Sequence, residues 1–386
     1  MKYKNLGVIL VTAAMVLAGC TTPENTSTVE GSVASKSSEQ KDNKYRIVTS
    51  TFYEYDWVMQ VLGDKKDAFD VTLLMDSGAD LHSYAPTGAD IVTIGSADLF
   101  VYNGGHSHEW VADIVAEPIN KELQTINIIE QLGDAVQQES ALKGPNGETT
   151  CDHNSCDHDH DDAHEEDCDH EHDEDHDHDH DDAHEEDHNH DHDDAHEEDH
   201  DHDHEGHHHE DEHIWLSLRN AMTVCNIIAT EIGAMDTANA EVYQANADAY
   251  IQQLTALDKA YTEAVDSATK DTIIFADRFP FLYMMSDYDI EYYAAFQGCS
   301  AESEASFETI KFLAEKVDEL EAKSIVVLEN GMVDLANTIN ESVTVDKCEI
   351  LTINSMETVS QEEIEGGATY LKFMEENLEI IKKALA

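Results

Sequence analysis

Residues 45–49, Tyr-Arg-Ile-Val-Thr, form the first of several short β-branched and apolar runs that recur along the chain. Segments with the apolar spacing of helices separate these runs, such as Trp57 to Leu62 and Trp110 to Ala116. Strands that alternate with helices predict a parallel sheet. The strands predicted in the first part of the chain are residues 45–49, 70–75, 99–102 and 125–129.

The same alternation begins again after residue 270. Apolar spacing predicts helices over 307–320, 333–340 and 368–385. The strands predicted in this second part are residues 272–275, 292–296, 324–328 and 349–353. The sequence therefore predicts an α/β fold with two Rossmann-like lobes, each built around a parallel sheet.

A long helix is predicted between the two series. Residues 236–267 contain neither glycine nor proline, and their apolar residues recur every three or four positions. At 1.5 Å per residue, this helix would be about 45 Å long, which suits a rigid connection between two lobes. The predicted organisation is a leader at 1–20, a tether at 21–44, a first lobe at 45–235 with an insertion at 151–212, a connecting helix at 236–268 and a second lobe at 269–386.

The first twenty residues have the pattern of an export signal. Lys2 and Lys4 precede an apolar stretch over 8–16, and the small residues before Cys20 complete the pattern. This end resembles the lipobox of bacterial lipoproteins, in which the cysteine is lipidated. The alternative is a transmembrane anchor, but the apolar run is shorter than the ~20 residues that a span needs. We expect an extracytoplasmic protein, anchored to the bacterial cell membrane by lipid on Cys20, with residues 21–44 as a flexible tether.

The charge distribution is strongly acidic and uneven. The formal net charge is −63, which argues against a nucleic-acid partner. Residues 151–213 hold 32 of the Asp and Glu residues and 21 of the 24 histidines, with neither lysine nor arginine. Alternating imidazoles and carboxylates predict loose binding of several divalent ions. The alternative is a solvated acidic spacer.

Two segments of this block match the zinc-protease pattern His-Glu-x-x-His, at 184–188 and at 196–200. That chemistry needs a buried helix that holds both histidines on one face. The surrounding residues are all charged or small, so we interpret both matches as coincidences of composition. The sequence offers no other catalytic constellation, and we expect a protein that is not an enzyme.

Two further histidines lie in distinctive contexts. His82 lies in Gly-Ala-Asp-Leu-His-Ser-Tyr-Ala-Pro, residues 78–86, just after the second predicted strand. The carboxyl ends of strands are where open α/β sheets bind ligands. His213 lies in Asp-Glu-His-Ile-Trp-Leu, residues 211–216, where the acidic block gives way to apolar sequence. Both are candidate metal ligands; the alternative is that they are structural histidines.

These two motifs resemble those of the zinc and manganese solute-binding lipoproteins of bacterial ABC importers. An acidic, histidine-rich segment before the second motif marks the zinc members of that family. The resemblance extends from Tyr45 to the end of the chain and includes the lipobox. It implies two lobes bridged by a rigid helix, with Zn²⁺ bound between them as the transported ligand. It also implies an ABC permease and its ATPase as partners; we expect a monomeric receptor.

The sequence departs from the family pattern in the second lobe. The family's third ligand follows the first strand of that lobe, and the matching position here is Ala276, which cannot bind metal. A subgroup shares the Ala-Asp-Arg-Phe-Pro-Phe segment, here residues 276–281, and carries a later His-Ser-Cys-His segment. Here that later segment is Asn-Ser-Met-Glu, residues 354–357.

The first lobe contains two additional histidines, His106 and His108, in a loop after the third predicted strand. We therefore expect His82, His213 and one of this pair to bind Zn²⁺. The fourth position would be taken by water or by a carboxylate, and Asp277 is preferred over Glu304 and Glu357. The alternatives are that the pair lies exposed in the loop and that Asp277 forms an ion pair or holds a turn.

The cysteines do not predict a disulfide framework, because seven are too few for a chain of 386 residues. Cys225 lies on an apolar helix and is predicted to be a core residue. Cys299 and Cys348 both lie at predicted strand ends, but their spacing does not show whether they form a disulfide.

The function predicted from these features is capture of extracytoplasmic Zn²⁺ and its delivery to a permease. A receptor for manganese or another divalent metal is one alternative, since the usual third histidine is missing. A surface lipoprotein that buffers metal or mediates adhesion, without a permease, is another.

Overall fold

A computed structural model describes residues 44–139, 210–298, 305–344 and 346–386. The predicted leader, the tether up to residue 43, the insertion up to residue 209, Cys299 and Glu304 lie outside the described residues. Lys44–Ala386 forms one compact unit. Within the described ranges, no helix is both long enough and apolar enough to cross a lipid bilayer.

The first sheet is parallel and contains the four predicted strands. They are β1 (Tyr45–Thr49), β2 (Phe69–Leu73), β3 (Leu99–Tyr102) and β4 (Gln124–Asn127), in the order β2-β1-β3-β4. The helices of this part are α1 (Phe52–Leu62), α2 (Gly88–Gly95), α3 (Val111–Ala116) and α4 (Ile128–Leu132). The fourth strand ends earlier than predicted because the Asn127 side chain accepts a hydrogen bond from the Glu130 amide and begins α4.

The second sheet repeats this arrangement. Its strands are β5 (Thr272–Phe275), β6 (Glu291–Ala294), β7 (Ser324–Leu328) and β8 (Glu349–Ile353), all parallel in the order β6-β5-β7-β8. Its helices are α7 (Leu282–Asp287), α8 (Phe307–Leu320), α9 (Val333–Ser342), α10 (Gln361–Glu365) and α11 (Tyr370–Ala384). The predicted α/β fold with two parallel sheets is confirmed.

Two helices lie between the sheets in the sequence, α5 (Leu218–Met235) and α6 (Ala240–Asp266). The long helix begins later than predicted, because Asp236 ends α5 and its carboxylate accepts hydrogen bonds from Asn239 and Tyr243. The Tyr250 hydroxyl of α6 donates to Asp56 on α1, and the Tyr261 hydroxyl donates to the Met374 carbonyl on α11. Helix α6 therefore contacts helices that flank both sheets, while the domain boundaries at 235 and 268 stay predictions.

The largest apolar core contains side chains from both halves of the chain. Tyr53 of α1 stacks on Trp215 with ring centroids 4.3 Å apart, and Trp57 contacts Tyr370 of α11 edge-on at 5.2 Å. Cys225 is fully buried in the same core, as predicted. Large buried aromatic rings contribute much of the stability of such a core. This core therefore joins helices from both halves of the chain.

Candidate metal centre

Three side chains from distant parts of the sequence meet in one cluster: His82, His213 and Glu357. The two Nε2 atoms of the histidines are 3.3 Å apart, and Glu357 Oε1 lies 3.2 Å from His213 Nε2 and 3.9 Å from His82 Nε2. Ligand atoms on a tetrahedral zinc ion, with bonds of about 2.0–2.1 Å, lie about 3.3–3.4 Å from one another. Two of the three separations are close to the edge of such a tetrahedron, and the third, between Glu357 and His82, is longer at 3.9 Å. Among the residues that the structure describes, no other group of His, Cys, Asp or Glu side chains is arranged to hold a metal ion.

His82 is oriented by a short 3-10 turn, Leu81–Ser83, which follows β2. The Asp80 carboxylate begins this turn by accepting a hydrogen bond from the His82 amide at 2.8 Å. The His82 ring places Nδ1 at 3.0 Å from Ser107 Oγ and at 3.4 Å from Glu212 Oε2. A proton on Nδ1 is stabilised by these oxygens, so the lone pair of Nε2 faces the cluster.

His213 is held in a similar way by its neighbour Asp211. One carboxylate oxygen of Asp211 accepts a hydrogen bond from the His213 amide and lies 2.9 Å from His213 Nδ1. Both side chains are buried. A carboxylate on Nδ1 fixes the tautomer and raises the basicity of Nε2 as a metal ligand. Residues 210–212 had been predicted as the end of the insertion, but Asp211 and Glu212 belong to the packed surroundings of the site.

Glu212 adds negative charge beside the cluster. Its carboxylate accepts hydrogen bonds from the amide and hydroxyl of Ser107. Burial alone would raise the pKa of Glu212, but the hydrogen bonds from His82 and Ser107 outweigh it and lower the pKa to about 2. The close approach depends on Gly105, which has a φ of +75°, since a Cβ there would lie 2.3 Å from Glu212 Oε1.

Glu357 is presented by the loop that follows β8. The amide and hydroxyl of Ser355 donate to the two carboxylate oxygens of Glu329, at 2.9 and 2.8 Å. The indole of Trp215 donates to the Ser355 carbonyl at 2.8 Å, which ties the loop to the segment of His213. Met356 has a φ of +63°, a conformation that is unfavourable for a residue other than glycine. This strained turn, held from both sides, directs Glu357 into the cluster.

The structure does not bring Asp277, the preferred carboxylate, to this cluster. Asp277 Oδ1 accepts a hydrogen bond from the Arg278 amide, and Oδ2 accepts from the amides of Leu328 and Met332 at 3.1 and 2.8 Å. A Cβ on Gly331 would lie 1.9 Å from Oδ2, so the turn is built closely around the carboxylate. Asp277 holds the turn after β7, which was the alternative interpretation of this residue.

Neither His106 nor His108 joins the cluster. His106 is exposed, and its Nδ1 lies 2.8 Å from Glu109; the hydrogen bond to that carboxylate raises the pKa of His106. His108 is buried against the ring of Trp110, and its Nδ1 lies 3.2 Å from the Gly104 carbonyl. Burial lowers the pKa of His108 to about 4, and its buried Nε2 has no hydrogen-bond partner among the described residues. Neither candidate for the third nitrogen ligand therefore lies in the cluster, because His106 is on the surface and His108 is buried within its own loop.

Sequence reasoning ranked Glu357 below Asp277, although the structure places Glu357 with both histidines. A signal was present in the sequence. Glu357 occupies the last position of the segment 354–357, where the subgroup with the Ala-Asp-Arg-Phe-Pro-Phe run carries a histidine. A carboxylate can replace an imidazole as a zinc ligand, so this position was the stronger candidate.

Comparison with known proteins gives matches over nearly all of the described chain. Residues 47–384 match the family described as zinc-uptake complex component A, periplasmic. The zinc-binding lipoprotein AdcA of Streptococcus pneumoniae TIGR4 is 30% identical over 352 residues, which cover 91% of this chain and 58% of AdcA. The high-affinity zinc uptake system protein ZnuA of Bacillus subtilis is 28% identical over 349 residues, 90% of each chain. The chain thus spans less than two thirds of the length of AdcA.

A solved structure supports the fold. The crystal structure of the metal-dependent lipoprotein YcdH from Bacillus subtilis matches with a TM-score of 0.62 and 24% identity, over 89% of this chain and 99% of that chain. The similarity confirms the architecture of two parallel sheets joined by helices.

Proposed function

Because the chain belongs to the family of periplasmic zinc-uptake components A, we propose that it is an extracytoplasmic receptor that binds Zn²⁺ and delivers it to an ABC permease. The observation that carries this proposal is the spacing of His82 Nε2, His213 Nε2 and Glu357 Oε1. The names of its relatives, a zinc-binding lipoprotein and a zinc uptake protein, support the same ion.

The donor set suits zinc. Two imidazole nitrogens and one carboxylate oxygen are ligands that Zn²⁺ accepts in a tetrahedral site, with water at the fourth position. Glu357, Asp211 and Glu212 surround the ion with negative charge, which offsets its double positive charge. Manganese prefers a shell with more oxygen donors, and the described cluster offers one carboxylate.

The positions of the ligands also suggest how the ion is released. His82 follows β2 of the first sheet, whereas Glu357 follows β8, the last strand of the second sheet. An ion that is bound by both parts loses a ligand when they separate. Docking on a permease that favours the separated arrangement would therefore weaken binding and release the ion.

The remaining features of the chain fit a receptor at the membrane. In this proposal, lipid on Cys20 and the polar tether keep the monomeric protein at the outer face of the membrane. The histidine-rich residues 151–209 bind divalent ions loosely. The receptor releases the ion that it captures and catalyses no reaction.

Two experiments test the proposed function. Calorimetric titration of the full mature chain with Zn²⁺, with Mn²⁺ as competitor, should show one tight zinc site that equimolar Mn²⁺ does not displace. Uptake of radioactive zinc by cells that lack the gene should be restored by the natural chain and not by the double variant His82→Ala/His213→Ala. Displacement by Mn²⁺ would favour a manganese receptor. Zinc retained at the cell surface without uptake would favour a buffering lipoprotein.

A further inference from the structure

We propose that Arg278 is a positioning residue that holds the turn of His82 against the second lobe and slows release of the bound ion. The inference rests on the proposed function, because it concerns the same cluster. It is carried by one contact between the two lobes: Arg278 Nη1 lies 3.6 Å from Asp80 Oδ2.

Asp80 makes this contact relevant to the metal centre. Its Oδ1 accepts a hydrogen bond from the His82 amide at 2.8 Å and begins the turn that carries the ligand. Its Oδ2 faces Arg278. The two oxygens of one carboxylate therefore connect the guanidinium of the second lobe to the backbone of a metal ligand in the first. A shift of Arg278 would change the support of the His82 turn.

The backbone of Arg278 is itself firmly placed. Its amide donates to Asp277, whose other carboxylate oxygen accepts from the amides of Leu328 and Met332. These contacts connect the ends of β5 and β7, so the guanidinium projects from a braced turn. The family places its third metal ligand at the position of Ala276. Here the same segment instead provides Arg278, two residues later, which contacts Asp80 in the turn of His82.

Main-chain contacts also join the loop between β2 and the His82 turn to the second lobe. The Gln361 amide donates to the Asp76 carbonyl at 2.8 Å, and Ser77 forms a β-bridge with Ser360. Separation of the lobes must move His82 away from Glu357, and it must also break the contact of Arg278 with Asp80. The ion pair therefore stabilises the closed arrangement in which the ion keeps its three ligands.

The size of the effect follows from the exposure of the pair. The side chains of Arg278 and Asp80 are 26% and 24% exposed, so solvent weakens their attraction. Pairs of this kind contribute little, and we expect zinc to dissociate about two- to fivefold faster when the pair is lost. High ionic strength should reduce the difference, because salt screens partly exposed charges.

The test is the rate at which Zn²⁺ passes from the full mature chain to an excess of a chromophoric chelator, measured by stopped flow. Arg278→Gln should release zinc about two- to fivefold faster than the natural chain. Asp80→Asn should do the same, because asparagine keeps the oxygen that accepts from His82 but loses the charge. The double variant should match either single variant, and Arg278→Lys should restore part of the slow release.

Arg46→Gln is the matched control. Arg46 is also paired with an aspartate, Asp98, but both residues belong to the first sheet region and lie apart from the cluster. Arg46→Gln should release zinc at the natural rate, and both glutamine variants should unfold at similar temperatures without metal. Natural release by Arg278→Gln, or effects of the two single variants that multiply in the double variant, would overturn this inference alone. Absence of tight zinc binding in the natural chain would overturn it together with the proposed function.

Discussion

The Nε2 atoms of His82 and His213 lie 3.3 Å apart although 131 residues separate them in the sequence. On the opposite edge of each ring, Nδ1 faces a carboxylate, that of Glu212 in one case and that of Asp211 in the other. The hydrogen bonds at Nδ1 therefore hold the two rings with converging lone pairs. Such preorganisation lowers the entropic cost of binding.

Glu357→Gln should weaken zinc binding at least tenfold, on the order of the loss seen when a metal site loses a supporting interaction. The substitution keeps the shape of the side chain but removes the negative charge nearest to both Nε2 atoms. Competition with a fluorescent chelator would measure the change. Glu349→Gln, at an exposed position at the start of β8, serves as the control and should bind like the natural chain. Equal affinity of the two variants would remove Glu357 from the ligand set.

Asp211→Asn should weaken zinc binding by about 10- to 100-fold, the usual cost of losing a carboxylate behind a ligating histidine. The oxygen of asparagine can still accept from the His213 amide and from Nδ1, but it is neutral and stabilises the proton on Nδ1 less well than a carboxylate does. The same chelator competition applies, with Asp134→Asn at an exposed site as the control. An unchanged affinity would show that the His213 ring does not depend on Asp211 for its orientation.

His106→Ala should leave zinc affinity within about twofold of the natural value, because the ring is exposed and contacts Glu109 away from the cluster. His108→Ala should instead lower the free energy of unfolding by about 1–3 kcal/mol, since it empties a buried position beside Trp110. Chelator competition and urea denaturation measure the two effects. A large loss of affinity in His106→Ala would restore the interpretation that this histidine is a ligand.

Acid should destabilise the fold partly through His108. Its pKa in the folded protein is lowered to about 4, whereas an unfolded histidine titrates near the ordinary value of about 6.5. The unfolded chain therefore binds a proton first, and stability is lost as the pH falls below about 6.5. The loss between pH 7.5 and pH 5 should be about 2 kcal/mol.

The loss attributed to His108 is measured as the difference between the natural chain and His108→Gln. Urea denaturation of both at pH 7.5 and at pH 5 removes the contribution of other groups, such as Glu54, whose pKa is raised to about 8 by burial. The natural chain should lose more stability than the variant. Parallel losses in the two proteins would mean that His108 is protonated equally in the folded and unfolded states.

Local pattern predicted much of the fold. The run 324–328 became a strand because parallel strands buried on both faces are nearly continuously apolar, and residues 47–49 are buried in the same way. The sequence does not predict the start of α6 at Ala240, because residues 236–239 contain neither glycine nor proline. In the structure, Asp236 ends α5 and accepts a hydrogen bond from Asn239, so these residues separate the two helices. Apolar spacing alone does not reveal such a break.

For the candidate site, sequence motifs predicted the two histidines but not the carboxylate beside them. His82 and His213 each lie in a recognisable sequence motif, and the structure places the two side chains in one cluster, as expected. Asp277 and Glu357 are both acidic residues after strands, and the backbone geometry shows which of them reaches the cluster. Asp277 turns back onto three amides, whereas the left-handed Met356 directs Glu357 into the cluster.

Calorimetric titration with Zn²⁺ of the mature chain that lacks residues 151–209 tests the central claim most directly. The deletion must stop at 209, because Asp211 and Glu212 orient the two histidines. We expect one tight zinc site that survives the deletion and is lost in the same chain carrying Glu357→Ala and His213→Ala. Loss of all tight binding on deletion would contradict this claim, because the ion would then be held by the histidine-rich segment and not by His82, His213 and Glu357.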